Sequence, residues 1–182
     1  ERKRTEDALQ LSEERARLVL NSAAEGIFGC DSQGTCLFCN PAAVRLLGYE
    51  RPEDLLGQNM HRLEHHTRPD GRPFPIEECP IYMAILDNRG VHVDDEVFWR
   101  KDGSSFPVEY WSHPLTRDGT TVGAVVTFFD ISERRRAESE LRNTEERKCT
   151  VLEINNAIIN NLTQEALFAS VYEAIRPVIS YD

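Results

Sequence analysis

No apolar run in this chain is long enough to cross a membrane: the longest, Ala124 to Phe129, is broken by Thr127, whereas a spanning helix needs about 20 residues. A basic excess is missing too. Of 182 residues, 21 are Lys or Arg and 31 are Asp or Glu, a formal net charge of −10, whereas neutralising phosphates takes a basic face. Neither a nucleic-acid nor a membrane partner is therefore expected. The chain holds no P-loop, no G-x-G-x-x-G and no G-x-S-x-G, so the motif-borne phosphate and nucleophile-elbow chemistries have no basis here. Cys79 with His65 or His66 as base is the best hydrolase arrangement on offer, and no motif supports it; the chain is read as non-enzymatic. With no initiator Met and no basic-then-apolar leader, it is expected to begin inside a longer protein and to carry no address of its own.

A disulfide framework is also absent. Five cysteines is an odd number, and Cys30, Cys36, Cys39, Cys79 and Cys149 follow no small-domain spacing, which fits a reducing, cytoplasmic setting. Cys36 and Cys39 form a C-x-x-C inside the apolar run Thr35 to Cys39. On a strand that odd spacing sends the two sulfurs to opposite faces, as buried thiols rather than a metal or redox pair.

What is present is an ordinary globular composition, 40% hydrophobic and 29% charged, with the charge concentrated in two places. Residues 133–148 hold eleven charged side chains in sixteen, and residues 1–15 hold nine in fifteen; both read as solvated helices. Residues 1–10 and 133–142 are identical at five of ten positions, as similar connectors in a modular array would be. Between them the pattern turns to short strands. Gly26 to Asp31 and Thr35 to Cys39 flank Ser32-Gln33-Gly34, a hairpin signal. Short helices are expected from Ala42 to Leu47, near Pro52 to Gly57 and from Ile81 to about Asn88, with a Pro-rich loop from His65 to Pro80. Strands Val93 to Arg100, Phe106 to Pro114 and Val122 to Asp130 follow, joined by Asp102-Gly103 and Asp118-Gly119 hairpins. The order gives an α+β domain, a five-stranded antiparallel sheet with helices on one face.

Seven strings in order, Ser12 to Arg15, Ala24 to Phe28, Asn40 to Ala43, Leu47 to Tyr49, Lys101 to Gly103, Pro107 to Glu109 and Asp130 to Arg134, resemble a PAS sensory domain with its C-terminal PAC motif. The resemblance implies residues 1–21 as an N-terminal connector helix, 22–132 as the PAS fold and 133–150 as a second connector. Residues 151–182 resemble the opening helices of a GAF domain, with Thr163 as the N-cap of a second helix. It further implies a homodimer through the connector helices and a small-molecule pocket. The output, a kinase or a transcription activator, is expected outside this chain.

By the same resemblance the pocket is faced by Phe28, Cys30, Phe98, Val108, Tyr110, Ser112, Val126 and Phe128; alternatively these side chains simply fill a close-packed core, leaving a ligand-free dimerisation scaffold. Signal transmission falls to Asp130, Ser132, Glu133 and Arg134. Asp130 three residues before Glu133 is a capping-box start, and Ser132 offers a second capping oxygen. The row Ala137, Leu141, Thr144, Lys148, Val151 is a partly apolar seam. The cofactor is left open between none, haem and a non-covalent flavin. Gly57-Gln58-Asn59 is followed by Met60 where the flavin photoreceptors of the family carry Cys, so no cysteinyl-flavin adduct can form. His61 and His65, spaced i, i+4, with His66 beside them and Cys79 beyond the Pro-rich loop, are zinc donor types. A pocket His would also suit haem iron. Their spacing matches no standard zinc pattern, and loop-bracing histidines are the other reading.

Overall fold

Asp31 starts the first hairpin. Its carboxylate accepts the N–H groups of Gln33 (2.8 Å) and Thr35 (2.9 Å), an Asx turn that closes β1 (Gly26–Asp31) onto β2 (Cys36–Cys39). The computed structural model describes residues 2–179 and divides them into two units, residues 2–133 and 134–179. In the first unit β3 (Val91–Trp99), β4 (Ser105–Arg117) and β5 (Thr120–Asp130) complete a five-stranded, wholly antiparallel sheet of order β2-β1-β5-β4-β3. The sheet and its helices bear out the expected α+β fold. The β4–β5 turn places both Asp118 and Gly119 at positive φ, as a tight right-twisting hairpin requires.

Helix α1 (Arg2–Ser22) leads into the sheet, and Asn40 fixes the entry. Its amide donates to the carbonyls of Leu20 (3.1 Å) and Glu25 (2.8 Å). Its oxygen accepts from Ile27 (2.9 Å) and Ala43 (2.8 Å), the second bond capping α2 (Pro41–Leu46). Asn59 caps α3 (Met60–Glu64) in the same way through Arg62, and α4 (Pro80–Leu86) starts on proline. These helices pack on one sheet face over Phe28, Phe98, Phe106, Val108, Tyr110, Val126 and Phe128, all buried.

Gly123 has a steric reason. A Cβ there would lie 1.9 Å from the backbone oxygen of Cys30 on the neighbouring strand, and a backbone atom cannot step aside. Gly123→Ala is expected to cost about 3 kcal/mol in urea unfolding.

Three local expectations are corrected. The β1–β2 ladder carries a bulge, with Cys30 opposite Cys36 and Phe28 opposite Cys39. The extra residue on β2 breaks the period of two, so both sulfurs lie on the core side, Cys36 within the core and Cys39 packed against it. Their mutual hydrogen bond, with burial added, pushes the Cys36 thiol up and holds Cys39 below its ordinary value. Helix α5 (Ser132–Ile179) runs unbroken past Thr163, so no second helix starts there; the side chain of Thr163 lies outside the described residues, as do residues 1 and 180–182. Finally, α5 begins at Ser132, which makes Ser132 the first helical residue rather than a cap.

Candidate functional site

Three of the five residues from His61 to His65 (His61, Glu64 and His65) line a cavity between α3, α4 and β1. The cavity holds about 330 Å³ of space, counting its open mouth, and is lined by Phe28, Cys30, Met60, His61, Glu64, His65, Cys79, Ile81 and Ile85 among others. Within it a water-sized sphere finds room for roughly one molecule. That suits an ion or a water; a haem or a flavin fits only if the lining side chains move.

The lining is apolar except for one buried cluster. His65 is 1% exposed and uses both ring nitrogens: Nδ1 meets Cys79 Sγ at 3.2 Å and Nε2 meets Glu96 Oε2 at 2.7 Å. Glu96 also accepts the Tyr110 hydroxyl at 2.7 Å. Burial alone would lower the His65 pKa, yet its bonds to Cys79 and Glu96 outweigh burial and raise it to about 9. Burial likewise opposes ionisation of Cys79, but the neighbouring His61 and His65 imidazoles outweigh it and bring the thiol down to about 6. Cys79 and His65 thus form a thiolate–imidazolium pair at neutral pH, and Glu96, despite its burial, is held below the usual carboxylate range by His65.

His61 is held by its Nε2–H donating to the Phe74 carbonyl at 2.8 Å, which fixes the tautomer and leaves Nδ1 buried without a partner. Glu64 is 1% exposed, and neither carboxylate oxygen has a hydrogen-bond partner. Burial pushes its pKa well above the ordinary value, with only partial relief from His65.

Of the residues singled out from the sequence, Phe28 and Cys30 line the cavity. Phe98, Val108, Tyr110, Ser112, Val126 and Phe128 are buried in the core beside it, Tyr110 reaching the cluster through Glu96. Burial raises the Cys30 thiol to about 12, which keeps it neutral. One donor from each of His61, His65 and Cys79 lies within 4.8 Å of the others. His66 does not join them: its ring stacks on Trp99 at 5.5 Å between centroids and bonds to Thr67. The step from helix to loop after Glu64 turns it away.

The residues expected to transmit a signal cluster at the end of the sheet. Arg100, just beyond β3, donates from Nη2 to Asp130 at 2.7 Å and from Nε to the Leu46 carbonyl at 3.0 Å, and its guanidinium lies over Phe106 at 4.2 Å. Asp130 in turn accepts the Ser132 N–H at 2.9 Å. The contact made is thus to the first residue of α5, rather than to the N–H three residues on as in a capping box. Glu133 occupies the first turn, where the helix dipole favours an acid, and Arg134 pairs with Glu138 at 3.8 Å.

This sheet, with its helices on one side and an internal cavity, matches the PAS fold family over residues 14–131. The chain belongs to the PAS family. Among curated proteins it is 30% identical over 140 residues to the probable diguanylate cyclase DgcE of Escherichia coli, covering 76% of this chain and 12% of that protein. It is 26% identical over 132 residues to the signal transduction histidine-protein kinase AtoS of the same organism, covering 70% of this chain and 20% of that one. The chain therefore spans only an eighth to a fifth of these relatives. Among solved structures it resembles the PAS domain of an HTR-like protein from Haloarcula marismortui, with a TM-score of 0.53, 21% identity and coverage of 71% of this chain and 99% of that one. This PAS domain is a sensory signal-transduction module, of a fold that is generally non-catalytic. Among the described residues no helix is long and apolar enough to cross a membrane.

Sequence reasoning missed Glu64 and Glu96. Both had a signal. Glu64 stands four residues after buried Met60 and so on the same helical face, and Glu96 stands two residues before Phe98 and so on the same face of β3.

Proposed function

We propose that this PAS domain reads the chemical state of the α3–α4 cavity and passes it along β3 to α5, and so to an output unit beyond this chain. One observation carries the reading: β3 holds Glu96, bonded to His65 in the cluster, and four residues on Arg100 clasps the carboxylate that also binds the first residue of α5. A change of charge or position at His65 then pulls on the same strand that holds the helix start. On this reading Asp130 to Arg134 act as the PAC-type junction, and residues 151–182 as the start of a GAF-type domain.

Hydrogen exchange tests the relay. Asp130→Asn should speed exchange in the first turn of α5 roughly tenfold, the size of a lost cap and ion pair. Glu96→Gln, far from that turn, should also change exchange there. A Glu96 variant that leaves residues 132–135 untouched while Asp130→Asn moves them would end the β3 relay.

Assembly as a homodimer through the connector helices belongs to the same proposal. Leu141, Val151, Ile154 and Ile158 of α5 are all more than half exposed, and burying a helical stripe of this kind against a second copy gains hydrophobic free energy. Light scattering at tens of micromolar should give twice the chain mass; a monomer would remove the dimer from the proposal.

A further inference from the structure

We propose that His61, His65 and Cys79, with Glu64 as the fourth ligand, form a binding site for a zinc-class divalent metal ion. The inference deepens the reading of this cavity as the input site and rests on it for its signalling role, but metal binding is testable apart from any relay.

Bonds of about 2.0–2.1 Å to nitrogen and 2.3 Å to sulfur put tetrahedral ligand atoms roughly 3.3–3.6 Å apart. His65 Nδ1 and Cys79 Sγ are 3.2 Å apart, and the three donors lie within 4.8 Å of one another, so small side-chain adjustments close the set around an ion. The cavity they line has room for about one water-sized sphere.

A histidine ligand is held by its other ring nitrogen donating to a carboxylate or a carbonyl. Both rings are held so: His61 Nε2–H by the Phe74 carbonyl at 2.8 Å, and His65 Nε2–H by Glu96 at 2.7 Å, which Tyr110 secures in turn. Each histidine thereby turns its Nδ1 to the interior.

His61 Nδ1 and both oxygens of Glu64 are buried with no partner, a costly arrangement that natural cores avoid. Glu64 lines the same cavity as the three donors. The charge of a divalent ion is balanced by the two protons lost from the Cys79–His65 pair and Glu64, so the ion gives His61 Nδ1 and the Glu64 carboxylate a partner while adding no net charge to the core. Two imidazoles, one thiolate and one carboxylate are the donor types zinc prefers, while magnesium and calcium call for oxygens. On binding, the proton between His65 Nδ1 and Cys79 leaves, as does any proton on Glu64.

The test uses the full chain carrying Cys149→Ser, because Cys149 is an exposed thiol. After chelator treatment it is titrated with Co²⁺. One equivalent should bind, with a thiolate-to-cobalt charge-transfer band in the near ultraviolet, intense visible bands of tetrahedral coordination, and displacement by Zn²⁺. Cys79→Ser should remove the charge-transfer band. His61→Ala and Glu64→Gln should weaken binding at least tenfold while keeping it. A folded chain that gives no such band, or a band that survives Cys79→Ser, overturns the site. Should Cys79→Ser fail to fold, unchanged affinity in both His61→Ala and Glu64→Gln overturns it instead. Metal binding together with a silent Glu96→Gln exchange experiment would retain the site and discard the relay.

Discussion

Replacing Glu64 by Met should make the chelator-treated protein more stable, by about 1–3 kcal/mol at pH 8, because it removes a carboxyl that is buried without a hydrogen bond and keeps its length. The sign depends on pH in a definite way. The folded pKa of Glu64 lies above its ordinary value, so its contribution is fully present in acid and is lost as pH rises from the unfolded value through the folded one. The gain of the Met variant over the parent should therefore grow by about 1.4 kcal/mol per pH unit across that window and then level off. Urea unfolding of both proteins from pH 4 to pH 8 measures it; parallel curves would mean that Glu64 is solvated.

The next residue should behave oppositely. His65→Ala takes the shared partner away from Cys79 and Glu96 in a buried site, and breaking a buried charge pair from one side costs about 3–5 kcal/mol. Cys79, lowered to about 6, contributes stability that is lost as pH falls through that value; His65, raised to about 9, contributes stability that is lost as pH rises through it. The pair is complete between the two, so the cost of His65→Ala should be greatest there and shrink on either side. The same variant should return the Cys79 thiol toward its ordinary value, read as a shift in the thiolate ultraviolet absorbance. Unfolding data that show a large cost with no absorbance shift would mean that His65 only fills space.

The sheet was legible in the sequence because its signals are local. Asp-Gly pairs set the hairpins, and the family resemblance put Val108, Tyr110 and Ser112 on the inward row that the structure buries. Helix α3 was harder. Five residues give too little periodicity, so His61, His65 and Cys79 could be grouped by donor type but not separated from His66, whose direction is set by the exit from the helix. The opposite error arose at Cys36 and Cys39, where parity fails because a bulge inserts a residue, and nothing in Thr35 to Cys39 marks it. Thr163 misled for another reason: a capping residue is only a cap if the chain before it is not already helical. Glu64 and Glu96 were passed over because carboxylates read as surface, although position relative to Met60 and Phe98 pointed inward.

Strand β3 is one of the two edge strands of its sheet, and that location bears on how easily it can move. A terminal strand is bonded along one side only, so displacing it breaks half the ladder that displacing β5, bonded to both β1 and β4, would break. The connection between cavity and helix thus runs through an edge of the sheet, which shifts at less cost than its centre. The same location presents an open template to the strands of other chains. At its middle, β3 departs from regular pairing between Val93 and Glu96 and exposes Asp94 and Asp95, and irregular, negatively charged edges resist strand addition. The compliance that suits a moving strand is thereby kept from becoming a route to aggregation.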